Sequence, residues 1–273
     1  MEFKSVLVDL AADDALTARL DAAMALAGDS GRVIGLTATG QLLDPYRSAG
    51  EETLRYQAMR ADMLRGVRRA GEEALLDAIR RRGATVDSTH VVAEQDAGWA
   101  LTTRGMTSDI VLPGLPGAPS ELPPLMASPA EYALVNAGKP ILVVPPAARM
   151  LPIGTAVVAW NGRREAARAI GDAIPLLKLA ERVIVHVVIG RSGPWEHSDG
   201  ELVRWLAGHG IKATVEMEES SSAAERLLEK VLLESAGLLV AGGYGHSRLG
   251  ELVMGGTTRT LLHNTPVPLL MSH

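Results

Sequence analysis

Four glycines near the end of the chain are spaced as phosphate chemistry would need them. The stretch GGYGHSRLGELVMGG, residues 242–256, places Gly242, two residues, Gly245, nine residues, Gly255 and then Gly256. It follows the apolar run AGLLVA and precedes TTRTLLHN, read as a short helix from near Thr257 that Asn264 and Pro266 end. A strand thus hands over to a glycine loop and then to a helix N-terminus. Gly245 would let the loop turn close to a ligand, while Gly255 and Gly256 would bare amides that attract phosphate. His246 could meet that phosphate or cap a turn. A glycine-rich turn packed on the sheet with no ligand explains the spacing equally well, so both readings stand.

Other chemistry is not supported. Neither VVAWNGRRE nor VLVDLAADD carries the GxGxxG of a dinucleotide fold, no HExxH occurs, and GHSRLG is not a GxSxG elbow. His197 and His209 are too far apart to share a helical face, His186 reads as a hydrogen-bonded core residue, and Asp109, Asp172 and Asp199 form no acid/base pair. Trp195 and Trp205 read as packing residues beside a short helix. No catalytic residue or metal ligand is assigned. His246 is the one candidate for activating water, which limits any reaction to weak nucleotide hydrolysis.

Composition narrows the partners. A net charge of -5 and 3% aromatic residues argue against nucleic acid, so a phosphate site would rely on main-chain dipoles, with magnesium as a helper. Zero cysteines exclude disulfides and thiolate clusters. MEFKSVLVDL, with Asp9 in its apolar run, reads as a strand and not a signal peptide; PILVVPP and VIVHVVI fall far short of the roughly 20 residues that span a bilayer. The expectation is a cytoplasmic protein with no membrane partner.

The positioning elements emerge from an internal repeat. GRVIGLTAT at 31–39 lies over ERVIVHVVI at 181–189, and VLVDLA at 6–11 over the segment from Ala156, both at a shift of 150. SDIVLPGLPG from 108 falls on AGLLVAGGYG from 236, and NAGKPILVV from 136 on NTPVPLLMS from 264, both at 128. The difference of 22 residues falls in RSAGEETLRYQAMRADMLRGVRRAGEEALLDAIRRRG, where Leu54, Ala58, Ala61, Leu64, Val67, Leu75 and Ile79 keep near-helical spacing. Ser48 and Glu51 offer it a capping box, and Arg80, Arg81 and Arg82 suit its C-terminus. Each half reads as five strands alternating with helices, the second-half strands near 155–160, 182–188, 211–217, 237–241 and 267–271. This predicts an α/β fold of two tandem doubly wound parallel-sheet domains, 1–146 and 152–273, joined through PPAARMLPIG. Ala166, Ile170, Ile174 and Leu177 mark the apolar stripe of a helix that Pro175 should kink.

With the repeat in view, the glycine spacing and the wider string VVAWNGRREAARAI…AGGYGHSRLGELVMGGTTR resemble the universal stress proteins that carry two domains in tandem. The resemblance implies an adenine-nucleotide alpha-hydrolase-like fold whose domains pair through their last strands within one chain. It also implies a stress-response role without dedicated catalysis, binding of ATP, ADP or AMP, with or without magnesium and not needed for folding, and room for a homodimer or an unknown protein partner. By matching positions, Val187 would approach the base, Asn161 an adenine or ribose edge, and Ala241 and Gly242 the ribose side. Gly245, His246, Gly255, Gly256 and Thr257 would meet the phosphates. Gly256 stands where ATP-binding relatives carry Ser or Thr, and Asn161 where the family often has Asp.

The first half repeats the spacing in GLPGAPSELPPLMAS, as Gly114, two residues, Gly117, nine residues, Ala127 and Ser128. Pro116, Pro119, Pro123 and Pro124 delete amide donors or restrict the path, and Ala11 replaces the polar group after the first strand. This half reads as degenerate and structural, with Ser128 a helix cap. A ligand-free interaction scaffold of the same fold is the alternative.

Overall fold

The computed structural model describes residues 3–40, 54–83, 86–116, 128–190, 199–244 and 256–273. The first half runs β1 (Ser5–Asp9), α1 (Leu16–Ala27), β2 (Arg32–Ala38), α2 (Leu54–Arg82), β3 (Asp87–Ala93), α3 (Ala97–Gly105), β4 (Ile110–Leu112), α4 (Pro129–Asn136) and β5 (Ile141–Val143). The second repeats it with β6 (Thr155–Ala159), α5 (Arg164–Leu177), β7 (Arg182–Ile189), α6 (Asp199–Gly208), β8 (Ala213–Glu219), α7 (Ala223–Leu233), β9 (Leu238–Gly242), α8 (Thr257–Asn264) and β10 (Leu269–Ser272).

The inner strands are short and mostly apolar, as strands covered on both faces by helices are, whereas β3 and β8 carry polar, partly exposed residues. The strands join into one sheet of order β3-β2-β1-β4-β5-β10-β9-β6-β7-β8, parallel throughout except where β5 meets β10. The expected pairing of the two halves through their last strands is thus present, with Leu269 opposite Val143 and Met271 opposite Ile141. Apolar residues of α1, α2, α5 and α6 cover one face; those of α3, α4, α7 and α8 cover the other. Both apolar clusters contain residues of both halves, so the core continues across the junction.

Two strand starts move by two residues. β8 starts at Ala213 because the Ile211 amide still donates to Leu206 O, closing the turn after α6. β10 starts at Leu269 because Pro268 has no N–H and enters the ladder only as acceptor for the Leu239 amide. The extra residues of the first half do form a helix: α2 spans 29 residues against 10 for α6. Its C-terminal turns bury Leu75 and Ala78, whereas Ala58 and Met59 are exposed because the helix outruns the sheet it covers. The basic run ending α2 is anchored to α1: Arg81 pairs with Asp21 at 2.9 Å, and Arg82 donates to Met24 O and Asp29. The expected Ser48–Glu51 box lies outside the described residues, as does Trp195. Trp205 departs from the packing role: the residue is 44% exposed, and its ring meets that of His209 edge-on at 4.7 Å. Among the described residues no helix is long and apolar enough to cross a membrane.

Candidate functional site

In an open doubly wound sheet a ligand crevice forms outside the carboxyl ends of the strands, at the point where the strand order reverses. Here that condition is met twice, between β1 and β4 and between β6 and β9. The two crevices are equivalent under the repeat and are built differently.

In the first half, acidic side chains stitch the crevice shut. Asp9, the last residue of β1, is 3% exposed; its Oδ1 accepts the Ala11 amide and its Oδ2 accepts the Gly114 amide across the crevice at 3.1 Å. Asp13 Oδ2 takes the next amide, that of Leu115, at 3.0 Å. Behind them Arg19 is fully buried, donating to Asp9 O, Ala11 O and both oxygens of Asp13 at 2.7–2.9 Å. Burial pushes the Asp9 carboxyl above the usual aspartate range, with the Arg19 charge the largest opposing influence. Sequence reasoning treated Ala11 as the lost polar group of this site; Asp9, two residues earlier, fills that place. A carboxylate that ends a strand and an arginine ten residues later were the available signal. The helix on the far side is closed too. Ser128 caps α4 as expected, its Oγ accepting the Glu131 amide while Glu131 Oε2 accepts the Ser128 amide at 2.7 Å.

In the second half every one of those groups is changed. Ala159 replaces Asp9, Arg163 replaces Asp13 and Ala169 replaces Arg19. Gly256 replaces Ser128 and Arg259 replaces Glu131, so α8 begins at Gly256 with no side-chain cap. Because α8 connects the parallel strands β9 and β10, its N-terminus lies at the carboxyl end of the sheet, and a helix N-terminus carries partial positive charge. Arg259 lies in the same turn, its Nε 3.9 Å from Glu131 Oε1.

The expected site residues distribute unevenly. Asn161 follows β6 and is exposed; its Oδ1 accepts the Arg163 amide at 3.1 Å, making a turn that Gly162 completes at φ +70°. Gly256 and Thr257 stand at the α8 N-terminus, Thr257 exposed. Gly242 ends β9, but its lack of a side chain serves packing: a Cβ there would lie 2.5 Å from the Ala166 amide nitrogen at the start of α5. Val187 and Ala241 are buried on opposite faces, Val187 against the α5 and α6 side and Ala241 against the α7 and α8 side. Gly245, His246 and Gly255 lie outside the described residues.

Residues that the sequence reading passed over complete the surroundings. Tyr244 donates its amide to Thr258 Oγ1 at 2.9 Å and its hydroxyl to Glu131 Oε1 at 3.0 Å. Glu165, buried in the first turn of α5, meets Arg164 at 2.5 Å. Burial acts to raise its carboxyl, but the Arg164 hydrogen bond, its own amide and the charges of Arg164 and His273 outweigh that and hold it below the usual glutamate range. His186 is the buried, hydrogen-bonded histidine expected, its Nε2 3.1 Å from Glu218. Among the described residues no group of three metal-ligating side chains is close enough to hold an ion.

No protein-family model matches the sequence, and no curated protein matches it. Solved structures do match the fold. A universal stress protein from Archaeoglobus fulgidus DSM 4304 superposes with a TM-score of 0.73 at 15% identity, covering 98% of this chain and 95% of that one. A universal stress protein from Pseudomonas aeruginosa UCBPP-PA14 gives 0.58 at 16% identity over 99% and 93%. A functionally unknown protein from Pseudomonas aeruginosa PAO1 gives 0.57 at 15% identity over 99% and 92%. With near-complete coverage of both chains and one sheet built from two equivalent halves, the protein has the universal stress protein fold in tandem.

Proposed function

We propose that the chain is a stress-response protein without dedicated catalysis that binds an adenine nucleotide, ATP, ADP or AMP, in the crevice of its second half. On this reading residues 1–146 form a structural copy and residues 152–273 the binding copy. The observation that carries it is the exchange of Ser128 and Glu131 for Gly256 and Arg259 at equivalent helix starts. At the helix start of the first half side chains satisfy the amides that a phosphate would need; at the helix start of the second no described side chain caps them, and the acid has become a base. Phosphate at a helix N-terminus next to arginine is favoured by hydrogen bonding and charge together. With no carboxylate cluster among the described residues, magnesium would be held chiefly by the phosphates.

A ligand-free scaffold is favoured by one observation, the burial of Val187 and Ala241, which leaves neither side chain as an open wall for a base. Thermal denaturation with ATP, ADP and AMP, with and without magnesium, separates the two. Nucleotide at a hundredfold excess over its Kd should add about 2.7 kcal/mol of stability. The double variant Gly256→Ser, Arg259→Glu, which transplants the first half's capping box, should keep the fold and lose the shift. No shift in the unaltered protein at millimolar nucleotide would leave the scaffold reading in place.

A further inference from the structure

We infer that Glu131, a residue of the first half, is a positioning residue for the crevice of the second, acting through the hydroxyl of Tyr244; its role in ligand binding rests on the nucleotide reading above. Tyr244 follows β9 by two residues and holds φ at +53°, a conformation that a bulky side chain rarely adopts. Such a backbone persists only where its surroundings over-determine it.

Here they do. The Tyr244 amide is fixed by Thr258 Oγ1 in the first turn of α8, next to the uncapped amides. Its hydroxyl is fixed by Glu131 Oε1 at 3.0 Å. Glu131 cannot swing away, because it is buried and its other oxygen closes the capping box of α4 at 2.7 Å. One helical turn further along α4, Leu134 lies against Gly243: a Cβ on that glycine would be 2.6 Å from Leu134 Cδ2, while the Gly243 amide donates to Ser272 O at 2.9 Å. The first residues after β9, Gly243 and Tyr244, therefore rest on α4 of the first half.

The contact runs one way. The counterpart of Tyr244 is Pro116, which has no hydroxyl, and the counterpart of Glu131 is Arg259, which has no acceptor. Symmetric packing at the junction would have produced the link twice. It occurs on the side whose crevice is uncapped, so the half that has closed its own site supports the half that has kept one.

The test uses the full chain and four variants. Tyr244→Phe deletes the hydroxyl and Glu131→Met the acceptor, and Glu131→Gln keeps an acceptor; the double variant Glu131→Met, Tyr244→Phe asks whether the first two act as one link. ADP affinity is read by titration calorimetry, and amide hydrogen exchange is read at residues 240–244 and 256–260. Tyr244→Phe and Glu131→Met should each weaken ADP about tenfold, the loss expected from one hydrogen bond to a charged acceptor. Both should raise exchange in these two segments, and Glu131→Met also at the Ser128 amide, whose acceptor it removes. The double variant should be no weaker than either single one, and Glu131→Gln should bind at or above the unaltered level. Unchanged affinity and exchange in Tyr244→Phe, beside an unaltered protein that binds ADP, would overturn the positioning role by itself. An unaltered protein that binds no ADP would overturn the nucleotide reading and the binding role together, whatever the exchange shows.

Discussion

Leu142 and Leu270 stand opposite each other in the antiparallel pair of β5 and β10, and each is the other's counterpart under the internal repeat. Ile141 faces Met271 and Val143 faces Leu269, so the flanking positions exchange about that point and a pseudo-twofold axis passes between the two leucines. Both side chains are fully buried. Leu142→Ala and Leu270→Ala should each lower stability by about 2–5 kcal/mol, the range for removing a buried leucine side chain. Equivalent surroundings predict similar losses, read from urea midpoints. A large loss at one position beside none at the other would contradict the pseudo-symmetry at the junction.

Arg19 organises the first crevice from a fully buried position, where its charge is matched by Asp13 and by two main-chain carbonyls. Its removal takes a donor from the Asp9 and Ala11 carbonyls and from part-exposed Asp13, at a cost of about 1–3 kcal/mol per buried group left unpaired. Arg19→Met should lower the urea midpoint by that equivalent, and added ADP should stabilise the variant as much as it stabilises the unaltered chain, since the damage lies in the other half. A variant of unaltered stability would show that the network contributes nothing net.

Gly114 and Gly242 occupy equivalent positions but resist a side chain for different reasons. A Cβ at Gly242 meets the backbone of Glu165 and Ala166 at 2.5–2.6 Å, and backbone cannot step aside. At Gly114 the nearest atoms are the carboxylate oxygens of Asp9 and Asp13 at 3.1–3.2 Å. Gly242→Ala should therefore cost more than Gly114→Ala, about 1–3 kcal/mol against a smaller loss. Chemical denaturation of the two variants decides it; the reverse order would disprove the close approach of α5 to β9.

Two histidines set a pH dependence. Burial pushes His90 below its usual range against the pull of Glu72; burial does the same to His263, opposed by Glu131 and aided by Arg259. A histidine whose folded pKa lies below the unfolded one binds fewer protons when folded, so acidification favours the unfolded chain. Stability from these groups is therefore present above the ordinary value of 6.5 and is lost as pH falls from there through the lowered values. In a His90→Gln, His263→Gln chain the urea midpoint should fall less between neutral pH and about pH 5. Parallel profiles for the two proteins would rule these residues out as the cause.

The repeat, the alternation of strand and helix, the five strands per half and the longer helix between β2 and β3 were all legible in the sequence. They depend on local periodicity and on patterns shared between segments, which a linear reading captures. The capping role of Ser128 and the core position of His186 were legible for the same reason, since each follows from a residue and its near neighbours. The state of the two crevices was not. Asp9 and Gly114 are separated by 105 positions along the chain and meet only because β1 and β4 are adjacent in the sheet. Glu131 and Tyr244, 113 positions apart, meet only because β5 and β10 join the halves. Nor did spacing show that α5 packs closely on Gly242, or that Val187 and Ala241 face opposite sides of the sheet. Sequence determined which segments are equivalent; tertiary structure decided which polar groups are already satisfied, because hydrogen bonds across a crevice depend on strand order and register, not on spacing along the chain.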